Sequence, residues 1–207
     1  MESKNKILEG AESLFMKYGF KSITMDDIAR ELGISKKTLY QYFQDKNDLV
    51  NQTIQAHIDN DAVVCNRIIE EGYDPIEFMF EMSKSITKNQ RKVNVAVLFD
   101  LRKYFKSAWD KMEKFRLEYI LKNILSNISK GQELGLYRTD INEVLIAKLY
   151  VHNIEFVMTP ELYQDISTDF HYIHLESLKY HLRGICTDKG LKKLNKITDN
   201  QNNNNPK

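Results

Sequence analysis

The sequence predicts an all-helical protein, and three observations carry that prediction. Only three prolines and eight glycines interrupt 207 residues. Long stretches rich in helix formers lie between these breakers. No run alternates polar and apolar residues over more than a few positions, as a half-buried strand would require. At 42% hydrophobic content the chain can bury a sizeable core, as one large or two small domains.

The first helix is read from Ile7, Leu8, Ala11, Leu14, Phe15 and Tyr18, which recur at helical spacing. Gly19 ends it, and Phe20 folds back as a hydrophobic contact. Thr24 suits the N-cap of a second helix, because its hydroxyl can accept an orphan amide proton from a first turn holding Asp26 and Asp27. Ile28, Ala29 and Leu32 form the apolar stripe of that helix. Gly33 breaks it where a left-handed residue costs little, and Ser35 restarts the chain after the inward-facing Ile34.

On the third helix, about 100 degrees per residue puts Leu39 and Phe43 on one side and Lys37, Thr38, Tyr40 and Gln41 on the other. The outer side is polar, flat and cationic. Such a helix suits a DNA major groove, with its first residues at base edges and flanking donors on phosphates. An ordinary solvated helical hairpin is the alternative that spacing alone leaves open. Asp45 then caps a fourth helix beginning at Lys46, where a helix N-terminus and a cation share one place for a phosphate.

These residues resemble the DNA-binding domain of the TetR family of bacterial transcriptional regulators. The shared pattern comprises Ala11, Leu14, Phe15, Tyr18, Gly19 and Phe20, then TMDDIARELGIS, then TLYQYFQDKNDL. The resemblance covers about the first 50 residues. It implies an N-terminal three-helix helix-turn-helix domain followed by a larger C-terminal helical domain for ligand binding and dimerisation. It implies base reading by Lys36, Lys37 and Gln41, and phosphate holding by Thr38, Tyr40, Tyr42 and Lys46, with Thr24 at the phosphate-facing start of the preceding helix. Many members carry His where this chain has Tyr42, and a phenol keeps the donor.

Charge refines that expectation. Residues 1–49 hold eight cations and eight acids, and the whole chain is only +1. Recognition must rest on where Lys36, Lys37 and Lys46, with Lys4 and Lys6 on an N-terminal arm, are placed. The two cysteines, Cys65 and Cys186, are far apart without CxxC spacing, which points to a reduced, cytoplasmic chain; a redox switch is the alternative. The N-terminus is charged, and the longest apolar run, Val95 to Phe99, is too short to span a bilayer. No glycine-rich phosphate loop, HExxH or GxSxG motif is present, so neither catalysis nor a cofactor is expected. A helix-turn-helix serving only protein contacts would lack the donors at Lys37, Tyr40 and Lys46.

The fourth helix is expected to continue through Val50, Ile54 and Ile58 toward Ile69 and to end near Gly72. Pro75 fits the first turn of the next, and Arg91 to Phe105 reads as another. Ser107 is placed as the cap of a long helix ending between Gly131 and Gly135. The turn GLYRTDIN opens a helix from Val144 to Phe156, closed by Pro160, and a last helix spans about Asp169 to Gly184. By resemblance these final two helices pair with their copies in a homodimer. The expected domains are 1–49, 50–190 and a disordered polar tail at 191–207.

Phe78, Met82, Phe99, Tyr104, Trp109, Phe115 and Tyr119 are aromatic or thioether side chains on the middle helices. They read as core, as the lining of an effector pocket, or as both. The family implies an apolar or aromatic small-molecule effector of unknown identity. His171, His174 and His181 lie near one face, but the outer two are about 15 Å apart along a straight helix, so one metal ion cannot take all three.

Overall fold

The computed structural model describes residues 2–87, 96–157 and 170–204, which form helices and no strand. In chain order they are α1 (Glu2–Tyr18), α2 (Met25–Glu31), α3 (Lys36–Tyr42), α4 (Lys46–Glu70), α5 (Pro75–Thr87), α6 (Ala96–Tyr104), α7 (Lys106–Phe115), a π-helical turn (Arg116–Ile120), α8 (Leu121–Glu133), α9 (Glu143–Phe156), α10 (Phe170–Ile185) and α11 (Asp188–Asn204). Gly19, Gly33, Gly72 and Gly135 take positive φ where α1, α2, α4 and α8 end. Pro75 opens α5, as its spacing predicts. Arg91 to Val95, Pro160 and Asp169, assigned above to helix starts and an end, lie outside the described residues.

The described residues divide into two compact units. The first holds 2–63 with 96–115, and the second 64–87, 116–157 and 170–204. In the first unit, Ile7, Ala11 and Phe15 of α1 bury against Phe20, Ile28, Ala29, Leu39 and Phe43. The rings of Phe15 and Phe20 stack at 4.8 Å. The same core takes in Leu49, Val50, Ile54 and Ile58 of α4, Leu101 of α6, Phe105, and Ala108 and Trp109 of α7, so it reaches well past residue 49.

One polar cluster crosses this unit. His57 on α4 places Nδ1 2.6 Å from Glu12 Oε1 on α1 and Nε2 3.3 Å from Asp61 Oδ2. Burial pulls the imidazole toward neutrality, but the Glu12 hydrogen bond and the Asp61 and Glu12 charges outweigh it and raise its pKa. A raised folded pKa means that the stabilisation is complete below the unfolded value of about 6.5 and is lost as pH climbs through the folded one. The urea midpoint of His57→Gln should therefore fall below wild type at pH 6 and approach it by pH 9. A gap that widens with pH would contradict the assignment.

In the second unit, Ile76, Met79 and Phe80 of α5 pack with Ile124 and Ile128 of α8, Ala147 and Val151 of α9, and Leu178 and Leu182 of α10. A polar chain is sealed inside. Tyr137 Oη donates to Asn127 Oδ1 (3.2 Å), and Asn127 Nδ2 donates to the Pro75 carbonyl (2.9 Å). The Tyr137 ring lies so close to α8 that a Cβ at Gly131 would come within 2.0 Å of it, which explains glycine inside that helix. Arg116, at the start of the π-helical turn, pairs with Glu155 of α9, and both side chains are largely buried.

Two expectations change. Ser107 does not cap α7: the helix begins at Lys106, and Trp109 donates to the Phe105 carbonyl, so Ser107 falls within the first turn. The segment 191–207 is not a disordered tail over its described part. α11 runs to Asn204, with Leu194 fully buried and Leu191 and Ile197 packed on the second core. Three apolar residues at helical spacing suffice to dock an otherwise polar helix. Thr187 accepts from the Gly190 amide at its start, and Lys193 pairs with Asp74 and Glu77 at the N-terminus of α5. Thus α10 is not the last helix.

Candidate DNA interface

The turn between α2 and α3 is built from backbone bonds that glycine permits. Gly33, at φ +65°, donates to the Arg30 carbonyl, and Ile34 donates to that of Ala29, the paired bonds of a Schellman ending. Ser35 then caps α3 by accepting from the Thr38 amide at 3.0 Å, and its hydroxyl lies 2.8 Å from that of Thr38. Leu39 and Phe43 are buried, which turns the other face of α3 outward.

On that face Lys36, Lys37, Tyr40, Gln41 and Tyr42 are exposed and Thr38 is half-buried. No hydrogen bond or ion pair among the described residues holds Lys37, Tyr40 or Gln41, so these three are free to meet a ligand. Lys36 is paired instead with Asp26 of α2, with both side chains mostly exposed. Tyr42 tilts against Phe43 with 6.4 Å between rings.

Thr24 is fully engaged as a cap. Its hydroxyl accepts from the Asp27 amide (3.1 Å) and gives its one proton to Asp27 Oδ2 (2.6 Å), while its own amide donates to the same oxygen (3.0 Å). Those bonds, with Arg30 alongside, hold the Asp27 carboxyl below its ordinary pKa. The hydroxyl of Thr24, placed by resemblance against a phosphate, has no proton left for one.

Lys46 begins α4, where Asp45 Oδ1 accepts from the Asp48 amide and Asp48 Oδ2 from that of Gln44. Its ammonium donates to the Lys21 carbonyl at 3.2 Å and lies 5.5 Å from the Phe105 ring centroid. Burial lowers its pKa, against the pull of the Asp100 and Asp27 carboxylates. Two donor protons remain. The Lys21 amide in turn donates to Asp100 Oδ2 at 2.9 Å, a carboxylate that is only 7% exposed. Sequence reasoning gave Asp100 and Lys21 no part, and no local signal could have joined residues so far apart in the chain.

The seven aromatic and thioether candidates are divided between the two units. Phe78 is core of the second unit, with Met82 and Tyr119 packed on that core; Tyr119 Oη donates to Asn66 Oδ1 at 2.6 Å. Trp109 and Phe115 belong to the first unit's core and its margin, while Phe99 and Tyr104 are exposed on α6. An open cleft of about 620 Å³ lies between α5 and α11 and is lined by Glu77, four lysines, Ile197 and Asn200, none of the seven. Of the three histidines, His174 is buried and stacks on Phe170 at 5.5 Å, and His181 lies 4.5 Å from Tyr150; burial lowers both pKa values to about 4. Among the described residues no group of three His, Cys, Asp or Glu is placed to hold a metal ion. Both cysteines are buried thiols.

A capped helix pair with an outward face of donors defines a helix-turn-helix DNA-binding protein. The family description "Bacterial regulatory proteins, tetR family" matches residues 7–53. An uncharacterised HTH-type transcriptional regulator of Bacillus subtilis, YvaF, is 31% identical over 158 residues, 75% of this chain and 81% of that protein. The Tn10 TetC protein of Escherichia coli is 23% identical over 70% of this chain and 75% of its own length. A TetR-family regulator from Agrobacterium tumefaciens has the same fold, with a TM-score of 0.73 at 14% identity over 90% of this chain and 99% of its own. The chain belongs to the TetR family of transcriptional regulators. It is a DNA-binding regulator and not an enzyme. No helix among the described residues is long and apolar enough to cross a membrane.

Proposed function

We propose that this regulator is a homodimeric repressor that binds a near-palindromic operator and is released by a small apolar or aromatic effector. The observation that carries the DNA-reading part is the outward face of α3, where Lys37, Tyr40 and Gln41 are unheld and Lys36 has only an exposed partner to exchange. Lys36, Lys37 and Gln41 read bases; Thr38, Tyr40, Tyr42 and Lys46 hold phosphates, while Thr24 serves by capping α2 and orienting its N-terminus.

The dimer reading rests on α9. Its inner face buries Ala147, Tyr150 and Val151, yet Leu145 and Leu149 are each more than half exposed on the opposite side. A helix apolar on two faces needs a second cover, and a copy of itself across a two-fold axis supplies one, with α10 alongside. The effector is assigned to the second unit, where Phe78, Met82 and Tyr119 are the candidates that remain beside its core. Its binding would favour a state of α4, the helix with residues in both units, that presents α3 at the wrong spacing.

The test is anisotropy binding to the protein's own upstream DNA against random duplex in moderate salt. Equal affinities would end the specific-regulator reading. Lys37→Ala or Gln41→Ala should relax preference at one operator position by about 1 to 3 kcal/mol, whereas Lys46→Ala should weaken binding to all sequences alike and flatten the salt slope. Uniform loss in all three would count against base reading.

A further inference from the structure

Beside Lys46 the first unit carries a second set of donors outside the helix-turn-helix. The Lys21 ammonium donates to Tyr104 Oη at 3.2 Å and lies 4.8 Å from the centre of that ring. The Lys103 ammonium stands 5.4 Å from the same ring and 5.2 Å from that of Phe99. All four side chains are exposed. The platform is fixed from below: the Lys21 amide is bonded to buried Asp100, Leu101 is fully buried, and the Phe105 and Phe20 rings lie 6.0 Å apart. It is continuous with Lys46 through the bond from that ammonium to the Lys21 carbonyl.

The chemistry of this patch selects an anion with several acceptor oxygens. Among the described residues neither Lys21 nor Lys103 is paired with a carboxylate, in contrast to Lys36, Lys84, Lys106, Lys179 and Lys193. The Tyr104 oxygen already accepts from Lys21, so its own proton is left to donate, and the adjacent ammoniums lower its pKa, Lys21's hydrogen bond foremost. Two cations and a polarised phenol form a surface of donors.

We propose that Lys21, Lys103 and Tyr104 bind the DNA backbone as a second site, taking phosphates that flank the base-read half-site, so that α6 extends the footprint of the helix-turn-helix. Continuity with Lys46, at the start of the helix that follows the recognition helix, makes DNA the partner. The inference rests on DNA binding by this unit, although it does not need a specific operator.

The experiment is a salt titration of the full-length protein by anisotropy, on long operator duplex and on random duplex. In Lys21→Ala/Lys103→Ala the slope of log K against log salt should shrink by about 0.9 for each phosphate no longer neutralised, hence by nearly 2 per protomer, with base preference unchanged. Trimming the flanking base pairs should bring wild type down to the variant and leave the variant unaffected. Tyr104→Phe, which keeps the ring, should lower affinity on both duplexes. Equal slopes for wild type and variant would overturn the proposal, as would loss of binding to anionic vesicles with an unchanged DNA slope. If the double variant melts early, Lys103→Gln, at an exposed side chain, decides by the same slope. Failure of wild type to prefer its operator would count against the specific-regulator reading alone, since slopes on random duplex still decide this one.

Discussion

Leu149→Asp is expected to turn the protein into a monomer and to cut operator affinity by about 100-fold or more. Leu149 is 57% exposed on the outer face of α9, and a two-fold axis there would bring two new carboxylates together beside the exposed Leu145. Each monomer would keep an intact recognition helix. What disappears is the second, intramolecular engagement, whose effective concentration commonly contributes a factor of about 10² to 10⁴. Light scattering and anisotropy on one sample separate the two effects. A variant that stays dimeric and binds normally would place the interface elsewhere.

Glu155→Ala should lower stability by about 3 kcal/mol, the range for breaking a buried ion pair on one side. The Arg116 and Glu155 side chains are only 17% and 25% exposed, so the guanidinium would keep its desolvation cost and be deprived of that carboxylate. Replacing both, as Arg116→Met/Glu155→Leu, should recover part of that loss, because neither member of this pair is then left without the other. Urea midpoints of the two variants check this. Equal destabilisation in both would mean that packing, not charge, sets the effect at the π-helical turn.

What the sequence discloses here is mostly local. Thr24, Gly33, Ser35 and Asp45 act within three or four residues of themselves, and their caps and turn stand in the structure as their spacing predicts. Leu39 and Phe43 point inward because a three-helix core leaves them no other place. The interactions that spacing cannot reveal are long-range ones. Asp100 with Lys21, Tyr104 with Lys21, and Lys193 with Asp74 join residues about 80 or more positions apart, and nothing in a local window signals them. The aromatic residues of the middle helices are alike in type, yet α6 and α7 pack into the first unit while α5 and the π-helical turn pack into the second. Composition also misleads at the C-terminus, where abundant Asn and Lys hide the spacing of Leu191, Leu194 and Ile197.

That last helix bears on how variation in the gene should be interpreted. A premature stop shortly after codon 190 would seem harmless, since it removes a polar, asparagine-rich end. It would also remove Leu194 from the second core and Lys193 from the acidic start of α5. Such an allele should behave as a loss of the regulator; under the repressor function proposed above, its target genes would be expressed with or without an effector.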